Sequence, residues 1–272
     1  MSVIESQTLP PAAFFQPAPD QPRLATLVRP AREGNTLPGL VWLNGFRSDM
    51  RGVKASFVDA LAGAQGRSLL RFDYSSHGES DGDFAHGSIG HWASEALALF
   101  RTLTRGPQVV VGSSMGGWIA LLLARDLARL YESDRLAGLV LIAPAVDFTQ
   151  ELMWPKLPLA VREEIELHGS WHTLAPEFGE SYPLTRRLFD DGRANALFGG
   201  EIRTHCPVDI IQGMADLDVP WAHAMKLFEH LASDPATLTL IKDGEHRLSR
   251  PQDLTALQKA IERIDAYPKK FP

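Results

Sequence analysis

Three side chains of the types used in nucleophilic catalysis stand in loop contexts along this chain: Ser114, Asp216 and His246. Ser114 is the middle residue of Gly-Ser-Ser-Met-Gly at 112–116, directly after the β-branched run 109–111. Glycines two positions before and after a serine, between a strand pattern and a helix pattern, are typical of a sharp turn that exposes the serine. The N-terminus of the following helix would place free N–H groups where an oxyanion forms. The pattern predicts that Ser114 is a nucleophile; the alternative is an ordinary Gly-Ser turn.

A serine hydroxyl needs a general base at neutral pH, and the base needs an acid that orients it. His246 follows Gly244 in a loop after the apolar run 237–241, and we predict that it is the base. Its alternative interpretation is a surface loop histidine. Asp216 follows the run 208–211, and we predict that it is the acid, although aspartate is also common in turns.

Other residues compete for these two roles. Asp147 comes just after the predicted strand 136–142 and could supply the acid from there. Asp218 could equally be a helix cap or a solvated charge. His77 is the main rival base, but it precedes the serine motif, and the surrounding His-Gly-Glu-Ser at 77–80 is typical of loop scaffolding.

Two backbone N–H groups are predicted to form an oxyanion hole. One belongs to Met115, directly after the serine, and the other to Phe46, after the short strand 40–43. Gly45 would let this loop approach the serine closely. We expect an apolar acyl group to lie against Phe46 and Trp154 as the substrate-binding surface.

The sequence predicts neither a metal nor a cofactor. His168 and His172 are four residues apart, but Gly169 and Ser170 weaken any helix between them, and the acidic residue of a zinc-protease signature is missing. The Asp-Gly-Asp at 81–83 lacks the rest of a calcium loop. No dinucleotide or phosphate-cradling motif is present.

Composition restricts the class of protein further. The chain has 272 residues, 44% of them hydrophobic, which is enough for one large α/β core. A net charge of −6 disfavours a nucleic-acid partner. Cys206 is the single cysteine, so an internal disulfide is impossible. The run 136–146 is about half the ~20 residues needed for a membrane span, and residues 1–22 lack the charges of a targeting leader, so we expect a cytoplasmic protein.

Apolar runs alternate with amphipathic stretches, which indicates parallel strands covered by helices. Strands are predicted at 24–29, 40–43, 68–72, 109–111, 136–142, 208–211 and 237–241. Helices are predicted at 54–66, from Ser88 through 103 and after the serine motif to about 130. A closing helix is predicted with Ser249 or Arg250 as its cap and Pro251 in its first turn.

The predicted organisation is an extended lead-in at 1–22, a core formed by 23–147 and 206–272, and a cap at 148–205. The cap segment interrupts the strand–helix alternation and has helical patterns near 156–168 and 182–197. It is also rich in aromatic residues: Trp154, Trp171, Phe178, Tyr182, Phe189 and Phe198. Because open α/β sheets bind ligands beyond the carboxyl ends of their strands, we expect this cap to cover that edge. The alternative is a surface excursion unrelated to substrate.

The chain resembles the α/β-hydrolase superfamily across nearly all of 24–266. Three motifs carry the resemblance: the serine motif, Gly-x-x-Asp-x-x-Val-Pro at 213–220 and Gly-x-His at 244–246. Within it, the chain is similar to the mitochondrial acyl-protein thioesterase and acyl-glucuronide esterase type through 71–75, 80–82, 111–118 and 219–221. The resemblance implies an α/β-hydrolase fold, a mostly parallel sheet flanked by helices with a helical cap inserted between two late strands. It also implies a triad of Ser114, Asp216 and His246.

We therefore expect a serine hydrolase that cleaves carboxylic esters or thioesters of small or acyl-chain substrates through an acyl-enzyme, without a cofactor. Acyl transfer or carbon–carbon bond hydrolysis by the same triad is an alternative. A non-catalytic ligand-binding relative is a third possibility, against which the presence of all three triad residue types argues. Acyl length, leaving group and oligomeric state stay open at this point.

Overall fold

The computed structural model describes residues 11–173, 181–231 and 234–268. In chain order its strands are β1 Ala13–Phe15, β2 Leu24–Arg29, β3 Gly39–Leu43, β4 Leu69–Phe72, β5 Gln108–Ser113, β6 Leu136–Ile142, β7 Ser170–His172, β8 Pro183–Thr185, β9 Val208–Gly213 and β10 Ala236–Ile241. Its α-helices are α1 Val53–Gln65, α2 Ile89–Leu103, α3 Met115–Arg129, α4 Leu159–His168, α5 Arg186–Ala194, α6 Trp221–His230 and α7 Pro251–Ala266.

Eight strands form one sheet in the order β1-β2-β4-β3-β5-β6-β9-β10, and β7 pairs with β8 separately. β1 and β2 are antiparallel, as are β2 and β4, whereas the remaining neighbours are parallel. β3, β5 and β9 are buried along their whole length, and their sequences are mainly apolar, with four buried polar residues: Gln108, Ser113, Asp209 and Gln212. The predicted mostly parallel sheet flanked by helices is confirmed.

The two faces of the sheet pack against different helices. Val110 of β5 belongs to the apolar cluster that contains α2 and α3, while its neighbours Val109 and Val111 belong to the cluster that contains α1 and α7. This alternation follows from the two-residue period of a strand. Each of these four helices thus buries its apolar side against one face of the sheet.

The parallel pairing brings the carboxyl ends of three strands to one edge. Ser113 at the end of β5 pairs with Ile142 of β6, Ile142 pairs with Ile211 of β9, and Gly213 of β9 pairs with Ile241 at the end of β10. The loops after β5, β9 and β10 therefore begin beside one another. These are the loops that carry the three predicted catalytic side chains.

The chain between β6 and β9 contains the segment predicted as a cap. It begins with a π-helical turn at Thr149–Met153 and a short 3₁₀ turn at Trp154–Lys156, followed by α4, β7, β8 and α5. The helical pattern predicted at 182–197 forms a helix only from Arg186, because Pro183–Thr185 pairs with β7 and the Thr185 hydroxyl then caps α5. Phe178 lies outside the described residues. The division into core and cap stays a prediction.

Besides the β7–β8 pair, strand β1 and helix α6 were not predicted from the sequence. Within the predicted lead-in, which the prolines suggested to be extended or loose, Ala13–Phe15 forms the edge strand β1 against β2. α6 follows Pro220 and packs Ala224 and Leu227 into the core. Within the described ranges, every helix is too short or too polar to cross a lipid bilayer.

A buried ion pair joins α7 to the start of β4 and supplies a test of the packing. The fully buried Arg67 donates to both carboxylate oxygens of Asp265 at 2.7 and 3.1 Å, and to the carbonyl of Pro38 at 2.7 Å. We expect Asp265→Ala to lower the free energy of unfolding by about 3–5 kcal/mol, because it leaves the guanidinium buried without a counter-charge. Equilibrium urea unfolding measures this change. Asp81→Ala, which removes the exposed pair with Arg23, is the matched control and should change stability little; equal losses in both variants would contradict the expectation.

Candidate active site

Ser114 lies at the tip of the turn between β5 and α3, with φ 54° and ψ −119°. This conformation is strained for a residue with a side chain and is held by the surrounding packing. A Cβ atom on Gly116 would lie 2.1 Å from the carbonyl oxygen of Leu43, and one on Gly112 would lie 2.3 Å from the carbonyl oxygen of Gly116. Both glycines are therefore required for steric reasons, as the spacing of the motif predicts.

His246 lies in the loop after β10 and contacts the serine directly. Its Nε2 is 3.1 Å from the Oγ of Ser114, and its side chain is 26% exposed. The loop is fixed to its surroundings on both sides of the histidine. The Ala215 amide donates to the carbonyl of Gly244 at 2.9 Å, and the ammonium of Lys54 donates to the carbonyl of Arg247.

Asp216 completes a continuous line of hydrogen bonds. Its Oδ2 is 2.8 Å from the Nδ1 of His246, while its Oδ1 accepts from the backbone amides of Asp218 and Val219 at 2.9 Å each. The side-chain amide of Gln212 also donates to Oδ2 at 3.2 Å. These donors fix the carboxylate in one orientation toward the imidazole.

The electrostatic balance at Asp216 favours its ionised form. Burial alone would raise its pKa, but the hydrogen bond and charge of His246, together with the Val219 amide and Gln212, outweigh burial and hold the pKa below its usual value. At neutral pH a negative charge therefore lies against Nδ1, which favours the tautomer with its proton on Nδ1 and with Nε2 as the acceptor facing the Ser114 hydroxyl.

Asp218 lies beside Asp216, whereas the other rival acid, Asp147, and the rival base, His77, lie in other environments. The Asp147 carboxylate accepts from the amides of Leu197 and Phe198 at 2.8–2.9 Å, so it binds the end of the predicted cap segment instead of the imidazole. Burial raises the pKa of Asp147 despite these two amides. His77 is buried, and its Nδ1 lies 3.0 Å from the carbonyl of Ser75. Burial lowers the pKa of His77, which keeps this ring neutral.

The two amides predicted to bind an oxyanion lie on either side of the serine in the fold. Met115 is the first residue of α3, and Phe46 follows Gly45, where a Cβ atom would lie 3.3 Å from the Cβ of Ser114. Among residues 11–173, 181–231 and 234–268, neither N–H has a hydrogen-bond acceptor. Both are thus available to a ligand oxygen.

The Phe46 ring lies among aromatic side chains that the sequence did not associate with it. Ring centroids of Phe84, Phe148 and Tyr182 are 5.2, 5.5 and 6.0 Å away. Their positions in three separate segments explain why only the fold brings them together. Trp154, the other predicted substrate contact, packs against Phe189 of α5 with a centroid distance of 4.7 Å and has no ring contact with Phe46.

Two polar neighbours of the site, Gln212 and Lys54, were not predicted from the sequence. Gln212 is the penultimate residue of β9 and lies four positions before Asp216. This spacing does not predict a contact between the two side chains unless the conformation of the turn between them is known. Lys54 reaches the histidine loop from α1, and burial, followed by the charge of Arg247, lowers its pKa to about 8.

Among the described residues, one group of potential metal ligands is formed by Asp216, Asp218 and His246, whose ligand atoms lie within 4.8 Å of one another. Asp216 and His246 already bind each other, and Nε2 of the imidazole faces Ser114. The arrangement therefore matches proton transfer to and from a serine more closely than it matches an open metal site.

Known proteins are similar in sequence and in fold to most of this chain. A sequence model of the alpha/beta hydrolase family matches residues 34–262. The bovine (Bos taurus) mitochondrial palmitoyl-protein thioesterase ABHD10 is 31% identical over 254 residues, which are 92% of this chain and 79% of that protein.

Two solved structures are similar over 93% of this chain and 97% of their own. One, an Agrobacterium vitis S4 protein assigned as a hydrolase, has 45% identity and a TM-score of 0.86. The other, alpha/beta hydrolase domain-containing protein 10 from mouse, has 29% identity and a TM-score of 0.79. The resemblance to the acyl-protein thioesterase type and the prediction of a hydrolase enzyme are confirmed.

One expectation is wrong. A cytoplasmic location was inferred from the N-terminal composition, but the curated mouse and bovine relatives that match most of the chain are named as mitochondrial enzymes. A single cysteine fits any reducing compartment and could not separate the two locations. The family match, the fold and the relatives agree with one another, and the chain belongs to the alpha/beta hydrolase family.

Proposed function

We propose that this protein is a serine hydrolase that cleaves carboxylic esters or thioesters through a triad of Ser114, His246 and Asp216. The observation that carries the proposal is the line of hydrogen bonds from the serine Oγ through the imidazole to the carboxylate, at 3.1 and 2.8 Å. The relatives named palmitoyl-protein thioesterases support an acyl substrate with a sulfur or oxygen leaving group.

In the first half of the reaction, the Oγ of Ser114 attacks the acyl carbonyl carbon while Nε2 of His246 takes the hydroxyl proton. The carboxylate of Asp216 stabilises the imidazolium that results. The carbonyl oxygen becomes an oxyanion, which the N–H groups of Phe46 and Met115 bind. His246 then gives its proton to the leaving oxygen or sulfur as the bond to the acyl carbon breaks.

In the second half, a water molecule replaces the leaving group. His246 takes a proton from the water as its oxygen attacks the acyl-enzyme, and returns the proton to the Oγ of Ser114 as the acid product leaves. The same two amides bind the second oxyanion. No step requires a group that these residues do not supply.

Ser114→Ala tests the nucleophile. We expect turnover of a p-nitrophenyl ester to fall by roughly 10⁶-fold and labelling by a fluorophosphonate probe to disappear, because the triad acts as a unit. Ser113→Ala is the matched control, since Ser113 is the preceding residue and ends β5. Labelling of the Ser114→Ala variant at the wild-type level would refute the proposed nucleophile.

Parallel Asp-to-Asn variants at 216, 147 and 218 identify the acid. We expect Asp216→Asn to lower kcat by about 10⁴-fold, because the neutral amide no longer selects the tautomer with a proton on Nδ1. Asp147→Asn should mainly lower the unfolding temperature, since its carboxylate binds two backbone amides of the cap segment. Asp218→Asn should have the smallest effect on kcat. Wild-type kcat in Asp216→Asn together with a crippled Asp147→Asn would reverse the assignment.

Phe46→Ala tests the acyl-binding surface, because the variant keeps the backbone N–H and loses only the ring. We expect KM for long-chain p-nitrophenyl esters to rise roughly tenfold relative to the acetyl ester, equivalent to about 1.4 kcal/mol of apolar contact. The same series with acyl-CoA thioesters tests whether the leaving atom alters this preference. Trp154→Ala is the comparison variant. An unchanged chain-length profile in Phe46→Ala would show that the acyl group binds elsewhere.

A further inference from the structure

A buried carboxylate lies beneath the loop that carries the Phe46 amide. Asp73 follows β4, is 1% exposed, and accepts three hydrogen bonds. Its Oδ1 accepts from the side-chain amide of Asn44 at 3.1 Å and from the backbone amide of Met50 at 2.7 Å, and its Oδ2 accepts from the amide of Glu79 at 3.0 Å. Asn44 and Met50 are the two ends of the segment 44–50, so a single oxygen atom holds both ends.

Asn44 is itself fixed on several sides. Its side chain donates to the carbonyl of Phe72 at 2.8 Å as well as to Asp73, and its Oδ1 accepts from the indole N–H of Trp42. Its backbone also has little room to move, because a Cβ atom on Gly116 would lie 2.7 Å from the carbonyl oxygen of Asn44. The conformation of Asn44 thus sets where the chain enters the turn at Gly45 and Phe46.

The distance from this anchor to the reacting atoms is short in sequence and in space. Phe46 is two residues after Asn44, and the intervening Gly45 packs against Ser114, with 3.3 Å between its ideal Cβ position and the serine Cβ. Ser48 closes the turn by donating its amide to the carbonyl of Gly45 at 3.1 Å. A change in the position of Asn44 or Met50 would therefore be transmitted to the Phe46 amide.

We propose that Asp73, acting through Asn44 and the Met50 amide, is a positioning residue that holds the Phe46 N–H where it can bind the oxyanion. This role rests on the proposed serine hydrolase function. Asp73 does not touch the substrate. It acts on the transition state through the loop, because a preorganised donor stabilises developing charge only if its direction is fixed before the reaction.

The electrostatics of Asp73 indicate that its contribution is the position of its hydrogen bonds and not stability. Burial raises its pKa to about 6, and the hydrogen bonds from Glu79 and Met50 only partly oppose this effect. The nearby charges of Asp49 and Glu79 raise the pKa further. An ionised carboxylate at this position lowers the free energy of unfolding at neutral pH. An apolar residue packed against β4 would not have this effect.

The test compares Asp73→Ala with Asp209→Ala in the full chain, because asparagine at 73 would keep an oxygen that can accept from both ends of the segment 44–50. Asp209 is also a 1% exposed carboxylate, and it pairs with Arg263 away from the segment 44–50. We expect Asp73→Ala to lower kcat for a p-nitrophenyl ester by roughly 10²-fold, the loss typical of one oxyanion donor, with KM within about twofold of wild type. Asp209→Ala should lower the melting temperature and leave kcat unchanged.

A second readout separates positioning from a purely structural role. A trifluoromethyl ketone forms a hemiketal with the nucleophilic serine, and its anionic oxygen occupies the oxyanion site. We expect its inhibition constant to rise in Asp73→Ala by about the same factor as kcat falls, while the affinity for the neutral substrate stays near the wild-type value. Asn44→Ala, which removes one of the two loop contacts, should show the same pattern to a smaller extent.

Several results would overturn the proposal. One is a folded Asp73→Ala with wild-type kcat and inhibitor affinity. Another is a loss of kcat that matches the loss of folded protein, as in Asp209→Ala. If Asp73→Ala does not fold, an unchanged kcat in Asn44→Ala overturns it. A wild-type protein without esterase activity or Ser114 labelling would overturn this proposal together with the proposed function, whereas an active wild type confines the failure to Asp73.

Discussion

The start of α3 presses against the end of β3 so closely that no side-chain carbon fits between them. A Cβ atom on Gly116 would meet the carbonyl oxygens of Leu43 and Asn44 at 2.1 and 2.7 Å. Two consequences follow from this contact. The chain can make the turn at Ser114 only with a strained positive φ, and the loop that begins at Asn44 is brought against the serine. The proposed nucleophile and the loop of the proposed oxyanion amide of Phe46 are thus positioned by the same close approach.

The remaining groups depend on parallel strand register, which delivers the loops after β9 and β10 to the same edge. In those loops, charge and hydrogen bonding, and not steric fit, determine how the side chains are oriented. The Asp216 carboxylate is buried, but it receives enough donors for its pKa to stay below the usual value. The Asp147 carboxylate is also buried and also receives amides, yet burial dominates there and its pKa is raised. The difference is the partner: an imidazole that can become positively charged in one case, and neutral backbone in the other.

Much of the fold and part of the candidate site could be predicted from local sequence. Mainly apolar runs, some interrupted by a polar residue such as Arg71 or Asp209, marked seven of the main-sheet strands. The serine motif was readable because both glycines are steric requirements of one short turn. Asp216 and Asp147 could not be separated with certainty, because each follows a strand end, and only contacts with Leu197 and Phe198, fifty residues further on, show what Asp147 binds. Edge strand β1 was missed for a similar reason: a three-residue strand is defined by its partner β2 and hardly by its own residues.

The contacts of Asp147 have a consequence for how this chain can diversify. Its carbonyl accepts from the amides of Gln150 and Glu151 at the beginning of the insertion, and its carboxylate accepts from Leu197 and Phe198 at the end. Asp147, next to β6, therefore binds both the beginning and the end of the insertion. Exposed residues of this segment can therefore be substituted with both of its ends still held beside β6, whereas Leu188 and Phe189 of α5 are fixed by their burial in the core. Such substitutions would be a route to new selectivity that leaves the proposed triad unchanged.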